Sequence, residues 1–214
     1  MGMIDIENVT YSYPHSTKPV IKDFSARFER GEITIVKGKN GCGKTTLTKL
    51  IAGILRPSVG RVLIDGRDIS DMDLFAIGKQ VGYVFQNPNR QLFCDTVYNE
   101  VAYGLRNLKK DEAEIMREVN SSLELFKLSQ YHETYSGKLS LGEKQRVALA
   151  AVFALGTNYL VLDEPGTGLD ARRQQELGSM LNTLQTEQNR GIIIVTHSSG
   201  PIERYAGREL VMSQ

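Results

Sequence analysis

Residues 32–55 read EITIVKGKNGCGKTTLTKLIAGIL. A short β-rich run, EITIVKG, enters a glycine-rich loop. Beyond the loop Leu47, Leu50, Ile51, Ile54 and Leu55 recur at helical spacing, and Pro57 marks the stop. Between strand and helix, residues 38–45 match G-x-x-x-x-G-K-[ST] without a gap. Glycines let the backbone wrap closely around a polyphosphate. Successive N–H groups and the helix N-terminus point positive ends at it. Gly38, Asn40, Gly41, Cys42, Gly43, Lys44, Thr45 and the adjoining Thr46 are therefore expected to hold a nucleotide's phosphates. Lys44 supplies a charge for the outer phosphates and the Thr45 hydroxyl a ligand for Mg²⁺. Cys42 reads first as a small residue in a crowded turn. A helix start and a lysine nearby give a second expectation, modest sensitivity to alkylation with protection by nucleotide.

The strand–loop–helix unit predicts an α/β core, and three later runs extend it. VGYVF, YLVLD and GIIIVTH are unbroken rather than alternating, as strands covered on both faces read. MIDIENVTYSY, VIKDFSARFE and RVLIDGRDI predict a small antiparallel sheet, the last with Asp65-Gly66 as a tight turn. Ile115, Val119, Leu123 and Phe126 make one helical stripe, and another helix starts near Ser140. The expected plan is a single domain over residues 1–214, with a mostly parallel core sheet, an antiparallel β subdomain and a helical insertion at roughly 90–155.

The 214 residues, 41% hydrophobic and 24% charged, are ordinary for a globular protein. A net charge of +1 offers no bulk argument for nucleic acid or an acidic membrane. The longest unbroken apolar run, residues 147–155, is less than half of the about 20 needed to span a bilayer. No secretory leader is visible, so none is expected. Cys42 and Cys94 stand apart without a CxxC, which fits a reducing compartment better than a disulfide or zinc framework.

Asp163 and Glu164 close the YLVLD strand, the end at which open α/β sheets bind ligands. An aspartate there suits Mg²⁺, and the adjacent glutamate suits positioning or deprotonating a water. Alone, the pair reads equally as a cap for the next element. His197 follows GIIIVT and Gln86 follows VGYVF in the same manner. Each is a structural residue or a contact to the γ-phosphate, Mg²⁺ or the water. Tyr13 is a strand aromatic or a stacking platform for adenine. Ser140-Leu141-Gly142-Glu143 is a capping box, S-x-x-E before an apolar run. Its helix start is also an anion site.

The ordered series resembles the nucleotide-binding subunit of ATP-binding-cassette (ABC) transporters. It comprises the phosphate loop, Gln86, LSLGE at 139–143, LVLDEP, GLD and the TH of Thr196-His197. The resemblance implies an ABC-type P-loop ATPase using ATP and Mg²⁺, with Thr45, Gln86 and Asp163 at the metal. Glu164 would be the catalytic base, His197 the switch histidine and Gln86 the residue at the junction with the membrane partner. Tyr13 would stack on adenine. Asp170 would lie in the loop linking two subunits. Ser140, Gly142 and Glu143 fall in the signature that, in this family, meets ATP held by the opposite subunit. The usual L-S-G-G-Q has Leu141 for a glycine and Glu143 for the glutamine. Ser198 stands where an aspartate often follows the histidine, and Gly166 where a threonine often follows the proline.

Residues 84–108, VFQNPNRQLFCDTVYNEVAYGLRNL, resemble the energy-coupling-factor ATPases, which drive uptake of vitamins or of cobalt and nickel. The implied partners are a second ATPase subunit, identical or related, and integral membrane subunits. The implied location is peripheral, on the cytoplasmic face of the membrane. Two alternatives fit the chain less well. A cassette ATPase acting on nucleic acid or the ribosome needs a coiled-coil insertion or tandem cassettes. A P-loop kinase explains 38–45 but not LSLGE or His197.

Overall fold

The glycine-rich loop leaves the C-terminal end of strand β3 (Ile33–Lys37), which lies inside a parallel sheet. The computed structural model describes residues 2–197 and 200–212. Among these, β6 (Val81–Val84), β7 (Tyr159–Asp163), β8 (Gly191–Thr196), β3 and β9 (Arg208–Val211) pair in the order β6-β7-β8-β3-β9, all parallel. A parallel sheet needs cover on both faces, and the side chains divide accordingly. Ile33, Ile35, Leu160, Leu162, Ile192 and Ile194 face one core with the helices α3 (Val97–Asn107), α4 (Glu112–Leu125), α5 (Leu141–Ala154) and α6 (Ala171–Gln188). Val36, Val161, Ile193 and Val195 face the other, with helix α1 (Lys44–Ile51) and the second sheet. Both cores account for strands that show no alternation in the sequence.

The second sheet is antiparallel, in the order β2-β1-β4-β5: β1 (Met3–Tyr11), β2 (Ile21–Glu29), β4 (Val59–Ile64) and β5 (Arg67–Asp68). In β1 the buried set runs Ile4, Ile6, then Val9 and Tyr11. The register shifts between Ile6 and Val9, where Asn8 takes φ +49°. Such a bulge moves the apolar face by one residue. Asp65 and Gly66 both take positive φ between β4 and β5, as the expected two-residue hairpin requires.

The expected architecture of parallel sheet, antiparallel sheet and helices is thus present. Two elements carried little sequence signal. Strand β9 is an edge strand with mostly exposed side chains. Helix α6 is largely polar and buries only the thin stripe Leu177, Leu181 and Leu184, with Gly178. The short helix α2 (Leu74–Gly78) is capped by Asp73, whose side chain accepts from the Ala76 N–H. Among the described residues no helix is long and apolar enough to cross a membrane.

Candidate active site

Parallel register brings four loops to one edge of the sheet. Lys37 pairs with Thr196, Asp163 with Val195, and Val84 with Leu162. The loop after β3, Glu164 after β7, His197 after β8 and Gln86 after β6 therefore open on the same side. They line a cleft of about 460 Å³ with Val20, Asn40, Gly41, Gly43, Lys44, Thr45 and Thr46.

The phosphate-type loop needs its glycines for definite reasons. Gly41 and Gly43 sit at φ +83° and +97°, a region that glycine enters without steric cost. A Cβ on Gly43 would also stand 3.0 Å from the Val20 carbonyl oxygen. Gly43 is the N-cap of α1 and offers no side-chain cap, so the first N–H groups of that helix face the cleft uncovered by a side chain. The Lys44 ammonium lies across the loop and donates to the carbonyls of Gly38 (2.8 Å) and Lys39 (3.1 Å). Cys42 is 4% exposed and packed in the apolar core beneath the loop. That burial opposes the expected alkylation sensitivity, because the reagent must reach a thiol that is covered.

Asp163, 2% exposed, is held at both oxygens. Thr45 Oγ1 donates to Oδ1 at 3.2 Å, and the Tyr83 hydroxyl donates to Oδ2 at 3.3 Å. Tyr83 also shares a 3.2 Å bond with Thr48 of α1. Burial raises the Asp163 carboxyl above the ordinary range, against the lowering effect of those two hydroxyls. Burial likewise pushes the Tyr83 hydroxyl up. No motif singled Tyr83 out. Its signal was only its place in β6, three residues before Gln86.

Glu164 adopts φ +52°, uncommon for a residue with a side chain. Its N–H donates to the Val195 carbonyl (2.9 Å), which holds the turn against β8. Its Oε2 accepts from Thr196 Oγ1 at 3.3 Å, and Oε1 lies 2.8 Å from His197 Nδ1. Backbone strain held in place by neighbours is characteristic of functional turns. The buried Gln145 of α5 donates to the Pro165 carbonyl at 2.6 Å, tying that helix to the loop beside Glu164. In the sequence Gln145 falls on the helix interior and matches no motif.

Other expected site residues lie at distinct places. Gln86 is exposed and lines a second cleft with Thr45, Asp163 and Leu141. The Tyr13 hydroxyl sits 3.2 Å from Thr46 Oγ1, its ring edge-on to Tyr11. It reaches α1 but does not line the phosphate-side cleft. Asp170 is the N-cap of α6, its Oδ1 accepting from the Arg173 N–H at 2.9 Å. Ser140, Gly142 and Glu143 begin α5 with the expected capping box. They line a separate cavity of about 120 Å³ with Arg146, Leu169 and Arg173. Ser198, noted in the sequence, lies outside the described residues.

Among the described residues no cluster of three His, Cys, Asp or Glu forms a closed metal cage. The donors at hand are oxygens: the Thr45 hydroxyl, the Asp163 carboxylate and the Gln86 amide. That set fits Mg²⁺, which takes one or two carboxylates and completes its shell with phosphate oxygens and water.

A family model described as ABC transporter matches residues 21–167. A putative ABC transporter ATP-binding protein of Pyrococcus furiosus is 40% identical over 211 residues, covering 99% of this chain and 80% of that protein. The energy-coupling factor transporter ATP-binding protein EcfA of Syntrophomonas wolfei is 38% identical over 196 residues, 91% of this chain and 72% of its own. Against two putative ABC transporter ATP-binding proteins of Vibrio vulnificus, at 36% identity, the chain spans 37% of their length. Among solved structures, cbiO1 from Clostridium perfringens, described as part of the ABC transporter complex cbiONQ, superposes with a TM-score of 0.89 at 35% identity. That match covers 98% of this chain and 84% of cbiO1.

Proposed function

Because the chain belongs to the ABC transporter family of ATPases, we propose that it is the motor subunit of an energy-coupling-factor type importer for a vitamin or a metal ion. The observation that carries the reading is the shared cleft, where Lys44 and Thr45 of the phosphate loop stand with Gln86, Glu164 and His197. The EcfA relative and the likeness to cbiO1 support the importer type.

In this reading the cleft takes ATP, with the loop N–H groups and Lys44 on the phosphates and Tyr13 beside the adenine. Thr45, Asp163 and Gln86 would hold Mg²⁺, whose charge would neutralise phosphate oxygens. Glu164 accepts a proton from the attacking water as its oxygen bonds to the γ-phosphorus. The bond to the β-phosphate oxygen breaks, leaving ADP and phosphate. His197 orients Glu164 and faces the γ-phosphate. Chemistry of this kind is mostly positioning, so a buried, doubly anchored carboxylate suits it.

Ser140, Gly142, Glu143 and Asp170 do not line the chain's own phosphate cleft. They serve a second ATPase subunit, identical or related, in a head-to-tail pair. Each site then joins one subunit's phosphate loop to the other's α5. Closure and reopening drive integral membrane subunits, which the chain meets from the cytoplasmic face as one domain with residues 90–155 as its helical insertion. The test is Ser140→Arg in the purified chain. The expected result is loss of ATP hydrolysis with nucleotide binding by the monomer intact. Full hydrolysis in that variant would overturn the shared site.

A further inference from the structure

Glu143 does more than close a capping box. Its Oε1 accepts from the Tyr131 hydroxyl at 2.5 Å. Its Oε2 accepts from the Ser140 N–H at 2.8 Å and from the Ser140 hydroxyl at 2.7 Å. The reciprocal cap bond, Glu143 N–H to Ser140 Oγ, is long at 3.4 Å. A serine hydroxyl has one hydrogen to give, and here the carboxylate takes it. The hydrogen bond from Tyr131, followed by that from Ser140, holds the Glu143 carboxyl below the usual carboxylate range. The group is therefore an anion at neutral pH. It stands at the head of a helix whose N–H groups and dipole attract anions.

The carboxylate is also clamped from outside its helix. Tyr131 ends the 3-10 turn Ser129–Tyr131, its N–H donating to the Leu128 carbonyl at 2.8 Å, and its ring packs on the helical core. Arg146, one turn further along α5, and Arg173 of α6 face the same small cavity, as does Glu176.

Resting on the reading that Ser140 meets ATP held by another subunit, we propose that Glu143 is an internal competitor for that phosphate and Tyr131 is its clamp. Glu143 is a positioning residue: it keeps the Ser140 hydroxyl turned into its own chain. The approaching γ-phosphate has to displace one carboxylate bond and tolerate its charge. Closure of the pair then needs more ATP than occupancy of the chain's own cleft does. A glutamine at this position would keep the capping box without the charge.

The experiment titrates MgATP into the purified full chain carrying Glu164→Gln, so that turnover is suppressed, and reads the dimer fraction by light scattering. Adding Glu143→Gln is expected to lower the half-maximal ATP concentration by about 3- to 10-fold. Tyr131→Phe is expected to lower it by less. The monomer's affinity for a fluorescent ATP analogue stays unchanged in both, a split that general loosening of the fold would not give. An unchanged or raised midpoint in Glu143→Gln overturns the proposal, provided that Ser140→Arg still blocks dimerisation. Should Ser140→Arg dimerise like its parent, the shared-site reading itself falls, and the proposal with it.

Discussion

His197 Nδ1 lies 2.8 Å from Glu164 Oε1, although the two are 33 residues apart in the chain. They meet because β7 and β8 are parallel neighbours, with Asp163 opposite Val195. The carboxylate is almost fully covered, its side chain 8% exposed, while the imidazole is 42% exposed and reaches the open cleft. In the proposed reaction, a buried base oriented by a more accessible histidine separates holding the water from sensing the phosphate. His197→Ala is therefore expected to lower kcat by about 100-fold or more. Nucleotide affinity should hold, because Lys44 and the loop N–H groups remain. Steady-state hydrolysis beside equilibrium nucleotide binding reads the split.

Gly43→Ala should abolish nucleotide binding while leaving the fold. The residue sits at φ +97°, and the new Cβ would press on the Val20 carbonyl and on Ile21. Strain of about 1–3 kcal/mol is expected to be relieved by shifting the loop, which misdirects the N–H groups at the head of α1. Binding of a fluorescent ATP analogue together with a thermal melt checks this. Near-normal affinity would mean that the loop tolerates a side chain there.

Gln145 predicts a link between α5 and the acidic loop. Its buried amide donates to Pro165, the residue after Glu164. Gln145→Ala leaves that carbonyl unpaired, at a cost of about 1–3 kcal/mol. Both stability and kcat are expected to fall, the latter because the Glu164 turn loses its outer support. A variant that melts lower yet turns over normally would confine Gln145 to stability.

Asp163 carries a stability cost that the pH dependence should reveal. Burial raises its carboxyl, so the folded chain binds this proton more tightly than the unfolded chain. Stability of the nucleotide-free chain falls as pH rises from the ordinary carboxylate range through the raised value, where the buried charge forms. Asp163→Asn removes that charge. At neutral pH, without Mg²⁺ or nucleotide, it should melt higher than its parent, by about 2–4 °C for each kcal/mol relieved. The gap should close below the ordinary carboxylate range. ATP hydrolysis should be lost at every pH. Parallel melting curves across the pH range would contradict the assigned strain.

Much of this arrangement was legible before the fold. The phosphate loop, DE after YLVL and the histidine after GIIIVT each ended a strand-like run, and a parallel sheet brings such ends to one edge. The interior runs were readable because both faces are covered, by Ile33 and Ile35 on one side and Val36 on the other. Strand β9 was not, since its mostly exposed side chains lack an apolar run. Helix α6 was not, because only a thin stripe of an otherwise polar helix packs inward. Tyr83 and Gln145 make hydrogen bonds to Asp163 and Pro165, contacts that depend on tertiary position and leave no spacing in the chain. Ser140 and Glu143 were visible as a cap, yet the direction of the Ser140 hydroxyl required the geometry.

In the proposed function Glu164 is the base of an ATP site completed by a second subunit. Its most direct measurement is Glu164→Gln with MgATP, followed by hydrolysis rate and molecular mass together. Turnover is expected to fall by about 100-fold or more, with the chain collecting as an ATP-bound dimer that disperses when nucleotide is removed. Hydrolysis at the parent rate, or a variant that stays monomeric at saturating ATP, would contradict it.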